Sequence, residues 1–180
     1  MGDIREPRPV KLFVGLLAGR EAWLGAAGER LAPCFGAVDL RSSLIPFDHT
    51  DYYEPQMGPG LLRQFVACQP LVDPGELATI KLRTNALEAE LAEELEADVP
   101  RPVNLDPGYL DDAKLVLATT KNYSHRIYIG QGIYAEVTLT WHHGAWQPTP
   151  WTYRDYRSEP YRAFFAEARA RYLEQRRHGR

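Results

Sequence analysis

A length of 180 residues fits one ordinary domain with one core, and a hydrophobic content of 44% argues against an intrinsically disordered chain. The net charge of −3 disfavours broad electrostatic binding to nucleic acid, although a local basic groove stays compatible with it. Cys34 and Cys68 lie far apart in apolar surroundings without CxxC spacing, so we expect reduced thiols that fill the core.

The N-terminal region shows no targeting pattern. Residues 1–9 form a polar, proline-containing arm, and the apolar run at 12–18 is too short to span a membrane. The order of charged and apolar residues also differs from that of a signal peptide. We therefore expect a cytoplasmic protein without membrane association, folded as a single domain over residues 1–180.

The first predicted elements alternate between strand and helix. The continuous apolar run "KLFVGLLA" predicts a strand buried on both faces. Trp23, Ala27, Leu31 and Phe35 recur at helical spacing, and Gly36 can end that helix. The alternating residues of "AVDLRSSLIPFD" predict a second strand, and "LLRQFVACQPLV" predicts a third.

A second helix is predicted to begin at Asp73. Asp73 can cap the helix, Pro74 fits its first position, and Glu76 can reach back as in a capping box. Apolar residues from Leu77 to Leu95 form one stripe. The acidic residues between Glu88 and Glu96 are expected to form a solvated face.

The second half begins less clearly. "VNL" predicts a short strand, and Pro107 with Gly108 favours a turn inside the loop "NLDPGYL". "DDAKLVLATTKNY" fits either element, and the spacing of Leu110, Ala113 and Leu117 favours a helix. Residues 125–148 predict a three-stranded meander with turns at "GQG" and "HHG", followed by a helix over 158–180.

The order strand, helix, strand, strand, helix, strand predicts the fold class. It is the order of a ferredoxin-like βαββαβ core in an α+β protein. The C-terminal antiparallel meander and the C-terminal helix would extend this core, and the fourth strand is its weakest member.

Several segments together resemble a bacterial and archaeal family, the domain of unknown function 4416. The matching stretches include "PFDHTDYYEPQMGPGLLRQF", "LATIKLRTNALE", "VNLDPGYL" and "KLVLATTKNYSHRIYIGQGIYAEVTL". The family is uncharacterised, although some members carry a GTP-binding label. This sequence has no GxxxxGKS or GxxxxGKT loop to cradle phosphates, which argues against P-loop GTP hydrolysis.

The connection "PFDHTDYYEPQMG" contains the candidate metal ligands. Asp48, His49, Asp51 and Glu54 lie within seven positions, and carboxylates with a histidine could bind a divalent cation or share acid–base work. We assign the metal role to Asp48 and Asp51. The simpler alternative is that both aspartates bond to the backbone and shape the loop.

Two further segments supply the candidate anion site. Asn104, Asp106 and Tyr109 come from "NLDPGYL", which follows a strand, and sheets with helical cover often place their sites there. Thr120, Lys121 and Arg126 supply the cations and short donors that a phosphate or carboxylate needs. Lys81 and Lys114 are further cations that could join them.

The candidate catalytic residues are His125, Asp106 and Glu136. His125 could transfer a proton near neutral pH, and its alternative is a satisfied structural histidine. Glu136 shares a strand face with Tyr134 and Thr138. A structural ion pair between Glu136 and Arg126 or Lys121 is the simpler alternative to catalysis.

Three hypotheses for function follow from these residues. The first is a polar pocket for a small anionic ligand, such as a nucleotide or another phosphate-bearing molecule, with catalysis and a divalent cation left open. The second is an RNA-associated module that uses "WTYRDYR" and the basic C-terminal helix, and the net charge counts against it. The third is a non-catalytic assembly or scaffold domain. The oligomeric state is not defined by the sequence.

Overall fold

A computed structural model describes residues 2–178, in which nine strands form one antiparallel sheet with helices on both faces. The strands are β1 (Val10–Ala18), β2 (Val38–Arg41), β3 (Ile45–Pro46), β4 (Leu62–Val72), β5 (Val103–Leu110), β6 (Lys114–Thr119), β7 (Ile127–Gly130), β8 (Ile133–His142) and β9 (Ala145–Pro148). The helices are α1 (Glu21–Phe35), α2 (Glu54–Met57), α3 (Leu77–Glu94) and α4 (Glu159–His178). The predicted α+β class is confirmed.

The strands follow the order β2-β4-β1-β5-β6-β8-β7. The short strand β3 pairs with β4. Strands β7 and β9 both pair with β8, β7 near its start and β9 near its end. The central strand β1 is antiparallel to both β4 and β5. The predicted arm is exposed and without regular structure over residues 2–9, and its first residue lies outside the described part, as do residues 179 and 180 of the predicted last helix.

One face of the sheet is covered by α1 and α3. Leu24 and Leu31 of α1 and Leu87 of α3 pack with Val14 and Leu105 of the sheet. The helical stripe predicted from Leu77 to Leu95 is buried as far as Leu91, and Leu95 is partly exposed. Asp73 caps the turn before α3, since its Oδ1 accepts a hydrogen bond of 2.7 Å from the backbone N–H of Gly75.

The other face is covered by α4 through aromatic packing. The Phe13 and Phe165 rings lie 4.8 Å apart, and the Phe65 and Tyr161 rings lie 4.6 Å apart. Because strand residues alternate between faces, Arg63 lies on the same face as Phe65. This face is therefore apolar beneath α4 and becomes polar towards one end.

Residues 111–123 do not form the predicted helix, because they contain strand β6. Leu115 and Leu117 pack in the cluster beneath α4, whereas Val116 and Ala118 pack beneath α3. A strand covered on both faces has an apolar run without alternation, so its pattern resembles that of a buried helix.

The predicted turn at Pro107 and Gly108 is also wrong, because both residues lie inside β5. Pro107 pairs with Val14 in the antiparallel register. A Cβ atom at Gly108 would lie 2.4 Å from the Val116 carbonyl oxygen and 2.5 Å from the Phe13 ring. Glycine is therefore required here for close packing rather than for a turn.

The predicted C-terminal meander is confirmed as β7, β8 and β9. The β8–β9 turn places His143 at φ 52° and Gly144 at φ 78°, the backbone of a tight hairpin turn. Cys34 and Cys68 are both free thiols, as predicted. None of the helices within residues 2–178 is long and apolar enough to cross a membrane.

Candidate functional site

A cavity of about 820 Å³ opens over the polar end of the sheet face that carries α4. Strands β4, β5, β6 and β8 contribute its floor, α3 contributes one side, and the connections around residues 47–56 and 153–156 form its walls. The charged residues in its lining are Arg63, Lys81, Glu88, Arg101, Asp106, Lys121, Glu136, Arg154 and Asp155.

The cavity reaches α3 because β5 and β6 diverge. Within the described residues, β6 pairs with β5 from Gly108 to Leu110 and not beyond. At Leu105, side chains of α3 make the hydrogen bonds that β6 would make if the two strands stayed paired. The N–H of Leu105 donates to Glu88 Oε1 at 2.6 Å, and the carbonyl of Leu105 accepts from Lys81 Nζ at 2.9 Å. Pro107 has no N–H to satisfy along this edge. The gap therefore admits polar side chains of α3 to the cavity.

Asp106 lies on the cavity floor between two buried cations. Its carboxylate oxygens lie 3.5 Å from Arg63 Nη1 and 3.6 Å from Lys81 Nζ. Asn104 Nδ2 donates a shorter hydrogen bond of 2.6 Å to it. Burial by itself would raise the pKa of Asp106, but Lys81, Arg63 and the bond from Asn104 more than offset burial and hold the pKa below its ordinary value.

Arg63 is the most deeply buried cation of the lining, with 3% of its surface exposed. Its Nη2 lies 4.0 Å from Asp155 Oδ2, too far for a hydrogen bond. No atom within residues 2–178 accepts a hydrogen bond from its buried Nε. Burial opposes its charge, but Tyr161, Asp106 and neighbouring groups together raise the pKa of Arg63, so the guanidinium stays protonated.

A hydrogen-bonded chain links α3 to the floor. Glu88 accepts from Arg101 Nη2 at 2.7 Å, Arg101 also donates to Asn104 Oδ1, and Asn104 donates to Asp106. Burial raises the pKa of Glu88, although Arg101 and Lys81 oppose this shift. The prediction that the acidic face of this helix is solvated is therefore wrong for Glu88, whereas Glu93 is exposed as expected.

At the outer rim, Lys121 connects the two sides of the opening. Its Nζ donates to Tyr52 Oη at 2.8 Å, and this bond lowers the pKa of Tyr52. Tyr53 lies deeper, where burial raises its pKa to about 12. On the opposite wall, Arg126 Nη2 donates to Tyr153 Oη. Two tyrosines of the walls, Tyr52 and Tyr153, are thus each bonded to a cation.

Glu136 lies on the floor but is already paired. It accepts from Arg126 Nε at 2.8 Å, from His125 Nε2 at 3.1 Å and from Thr138 Oγ1 at 3.0 Å. His125 stacks on Trp151 with ring centroids 5.2 Å apart and faces a separate open hollow on the surface. This geometry matches the structural ion pair that was the alternative for Glu136.

The predicted catalytic and ligand-binding residues fall into three groups. Those that line the cavity are Asn104, Asp106, Thr120, Lys121 and Glu136. His125 and Arg126 reach it through Glu136. Tyr109 packs instead beside Leu77 and Ala78 beneath α3.

The predicted metal ligands Asp48 and Asp51 are exposed, although their neighbours His49 and Thr50 line the cavity. Within residues 2–178, no group of three or more His, Cys, Asp or Glu side chains is arranged to hold a metal ion. Of the two further cations considered, Lys81 lines the cavity, whereas Lys114 pairs with Asp111 at 2.6 Å.

Sequence reasoning missed Arg63 and Asp155, although both left a signal. Arg63 shares a strand face with the apolar residues Phe65 and Ala67, so a charge at this position is unexpected unless it has a role. Asp155 is the single carboxylate in "WTYRDYR", a segment of aromatic and basic residues. This segment forms one wall of the cavity, and Asp155 is among the residues that line it.

Comparison with known families now places the chain. A family model described as Domain of unknown function (DUF4416) matches residues 8–172. The chain belongs to this family. No curated protein and no solved structure matches it. The match to DUF4416 includes every residue that lines the cavity, and since the family description names no activity, function has to be inferred from the cavity itself.

Proposed function

We propose that the cavity binds a small anionic ligand that carries a phosphate or carboxylate group. The observation that carries this proposal is the state of Arg63, a nearly fully buried guanidinium whose nearest carboxylates lie 3.5 and 4.0 Å away. Burying a charge is costly unless short hydrogen bonds compensate it, and optimal charge-assisted bonds measure about 2.7–2.9 Å. A cation in this state favours a further anionic or polar partner.

The charge balance of the lining supports the same conclusion. Five cationic side chains face the cavity against four carboxylates, and one of these carboxylates, Glu136, is already neutralised by Arg126 from behind. The floor cation Lys81 is 5% exposed and uses one donor on Leu105, while an ammonium carries three. The lining as a whole therefore carries net positive charge, which favours a ligand with a negative group.

The cations at the rim and those on the floor of the cavity would have different roles in binding. Lys121 and Arg154 are exposed and can contact the anionic group directly. Arg63 and Lys81 attract it from below, where burial weakens screening by salt. His125 touches the cavity through Glu136, so the arrangement supports binding better than proton transfer by His125.

A ferredoxin-like core is the proposed scaffold for this site. The elements β1, α1, β2, β4, α3 and β5 follow one another with the order β2-β4-β1-β5 in the sheet. In a split βαβ arrangement the first and second strands are separated by the third, as β1 and β2 are separated by β4. On this proposal β3 and α2 are an insertion that carries one wall of the cavity.

The RNA-associated alternative has less support. Arg157, one of the arginines of "WTYRDYR", donates to the carbonyl oxygens of Thr149, Pro150 and Thr152. Its guanidinium therefore fixes the wall of the cavity rather than standing free for phosphates.

The test is titration calorimetry, with thermal shift as a screen, using phosphate- and carboxylate-bearing compounds on the whole protein. A ligand of the folded state raises the melting temperature by mass action. We expect saturable binding that weakens at least tenfold in Arg63→Gln and in Lys121→Ala. Arg20→Gln is the matched control, since Arg20 forms an exposed pair with Asp98 at 2.9 Å, away from the cavity.

Binding that is unchanged in both cavity variants would contradict the proposal, as would the failure of every anionic compound to bind. Lys121 is exposed, so Lys121→Ala keeps the test valid if Arg63→Gln does not fold.

A further inference from the structure

We infer that the ligand is a polyol phosphate, a molecule in which several hydroxyl groups accompany one phosphate. This inference rests on the proposed anion site and adds the chemistry of the uncharged part of the ligand. Its basis is the separation between the cations and the carboxylates on the cavity floor.

Three oppositely charged pairs on the floor are too far apart for optimal hydrogen bonds. Arg63 lies 3.5 Å from Asp106 and 4.0 Å from Asp155, and Lys81 lies 3.6 Å from Asp106. Elsewhere in the same chain, comparable pairs close to 2.6–2.9 Å, as between Arg83 and Glu90 at 2.6 Å or Arg126 and Glu136 at 2.8 Å. These pairs are thus held apart by the positions of the strands, the helix and the connection that carry them.

A hydroxyl group fits between such partners. It accepts hydrogen bonds through its lone pairs and donates one proton, so it can accept from the cation and donate to the carboxylate together. A phosphate oxygen accepts only, and beside Asp106 or Asp155 it would meet a second negative charge. The floor therefore favours hydroxyl groups, and the phosphate is directed to the rim cations Lys121 and Arg154.

Other side chains of the lining have the same dual character. Asn85 and Gln56 each present both a donor and an acceptor. Phe47 and Tyr53 add ring surface against which the C–H groups of a polyol can pack. A volume of about 820 Å³ falls within the range typical of small-molecule sites.

The experiment compares phosphates that differ in hydroxyl content. Glucose 6-phosphate, ribose 5-phosphate and glycerol 3-phosphate are measured by calorimetry against ethyl phosphate, inorganic phosphate and unphosphorylated glucose. We expect at least one polyol phosphate to bind tenfold or more tightly than ethyl phosphate. Asp155→Asn should reduce that preference, measured as the ratio of the two affinities, and Asp98→Asn on the surface should leave the ratio unchanged.

The outcomes separate this inference from the proposal beneath it. If ethyl phosphate binds as tightly as the polyol phosphates, the inference is overturned while the anion site stands. If glucose binds as tightly as its phosphate, the inference and the anion site both fail. If no anionic compound binds, both fail again. Asp106→Asn is the second variant if Asp155→Asn does not fold, and an unchanged preference in the variant that folds also counts against the inference.

Discussion

The backbone N–H of Leu105 on β5 donates to Glu88 Oε1 on α3 at 2.6 Å, in the position where a neighbouring strand would accept it. Lys81, on the same helix, satisfies the other backbone group of Leu105, since its Nζ donates to the Leu105 carbonyl. Lys81 and Glu88 are seven positions apart, which places them on one face of the helix two turns from each other. The helix thus closes the free edge of β5 and, by doing so, keeps the cavity open between β5 and β6.

Removal of the Glu88 carboxylate should therefore destabilise the fold. Glu88→Ala leaves the N–H of Leu105 without its acceptor and removes one of the two side chains that accept from Arg101. An unsatisfied buried donor costs roughly 1–3 kcal/mol. Urea unfolding measures the loss. Glu93→Ala on the exposed side of the same helix is the control and should change the free energy of unfolding by less than about 0.5 kcal/mol. Equal effects in the two variants would contradict the role assigned to Glu88.

Asp106 should make stability depend on pH in the acid range. The pKa of Asp106 is lower in the folded state than its ordinary value of 3.8, so the folded state binds fewer protons in this range than the unfolded chain. The stabilisation is complete above the ordinary value and is lost as pH falls through the folded pKa. Asp106→Asn should be less stable than wild type at pH 7, by roughly 1.5–3 kcal/mol for a charged hydrogen-bond partner.

The difference between Asp106→Asn and wild type should shrink as pH falls below the ordinary aspartate value. Urea unfolding between pH 7 and pH 3 follows it, provided that both proteins remain folded. Asp98→Asn, on an exposed aspartate, controls for the general effect of acid. A difference that stays constant over this range would show that the charge of Asp106 does not stabilise the fold.

The elements with local signals could be predicted from the sequence, and those that depend on distant partners could not. The Asp73 cap on the turn before α3 and the tight turns of the meander are set by neighbouring residues, and both were predicted. β6 was mistaken for a helix because it is buried by α3 on one side and α4 on the other, and both helices are distant in sequence. Pro107 and Gly108 were assigned to a turn for a similar reason, since only the packing against Phe13 and the divergence from β6 explain them.

Some residues of the candidate site could be predicted from the sequence, and others could not. The density of polar groups around Asp106, Lys121 and Glu136 indicated a pocket, and all three line it. Arg63 and Asp155 are 92 positions apart in the sequence, and their relation appears only in the fold, where β4 meets the wall before α4. Separations such as 4.0 Å between two charged groups have no counterpart in a sequence pattern.

Gly108→Ala should destabilise the protein strongly. The new Cβ would overlap with the Val116 carbonyl oxygen, which belongs to the backbone and cannot move without disturbing the β5–β6 ladder. Overpacking of this kind costs about 1–3 kcal/mol, and more where the backbone must shift. Thermal unfolding provides the measurement. Gly25→Ala in α1 is the control, because open space surrounds its Cβ and alanine favours a helix. A melting temperature for Gly108→Ala close to that of the wild type would refute this explanation of the glycine.

Leu87 anchors α3 to the sheet. It is fully buried with Val14, Leu16 and Leu105, so Leu87→Ala should cost about 2–5 kcal/mol through lost transfer energy and a new cavity. Leu82 of the same helix is 40% exposed, and Leu82→Ala is expected to cost much less. The two variants are compared by urea denaturation. Similar losses would mean that α3 does not pack through the predicted stripe.

Gly15 on β1 gives Arg63 the space that the proposed site requires. A Cβ at this position would lie 3.1 Å from Arg63 Nη1 and 3.1 Å from the Phe65 ring. The ring is held by Tyr161, 4.6 Å away, so the guanidinium is the group that must shift.

Gly15→Ala should therefore cost about 1–3 kcal/mol of stability and, in the proposed site, weaken binding of glucose 6-phosphate at least fivefold. Gly19→Ala meets its nearest atom at 3.4 Å, an ordinary contact, and should retain the wild-type affinity. Calorimetry on the two folded variants decides the matter: an unchanged affinity in Gly15→Ala would mean that the position of Arg63 does not govern binding.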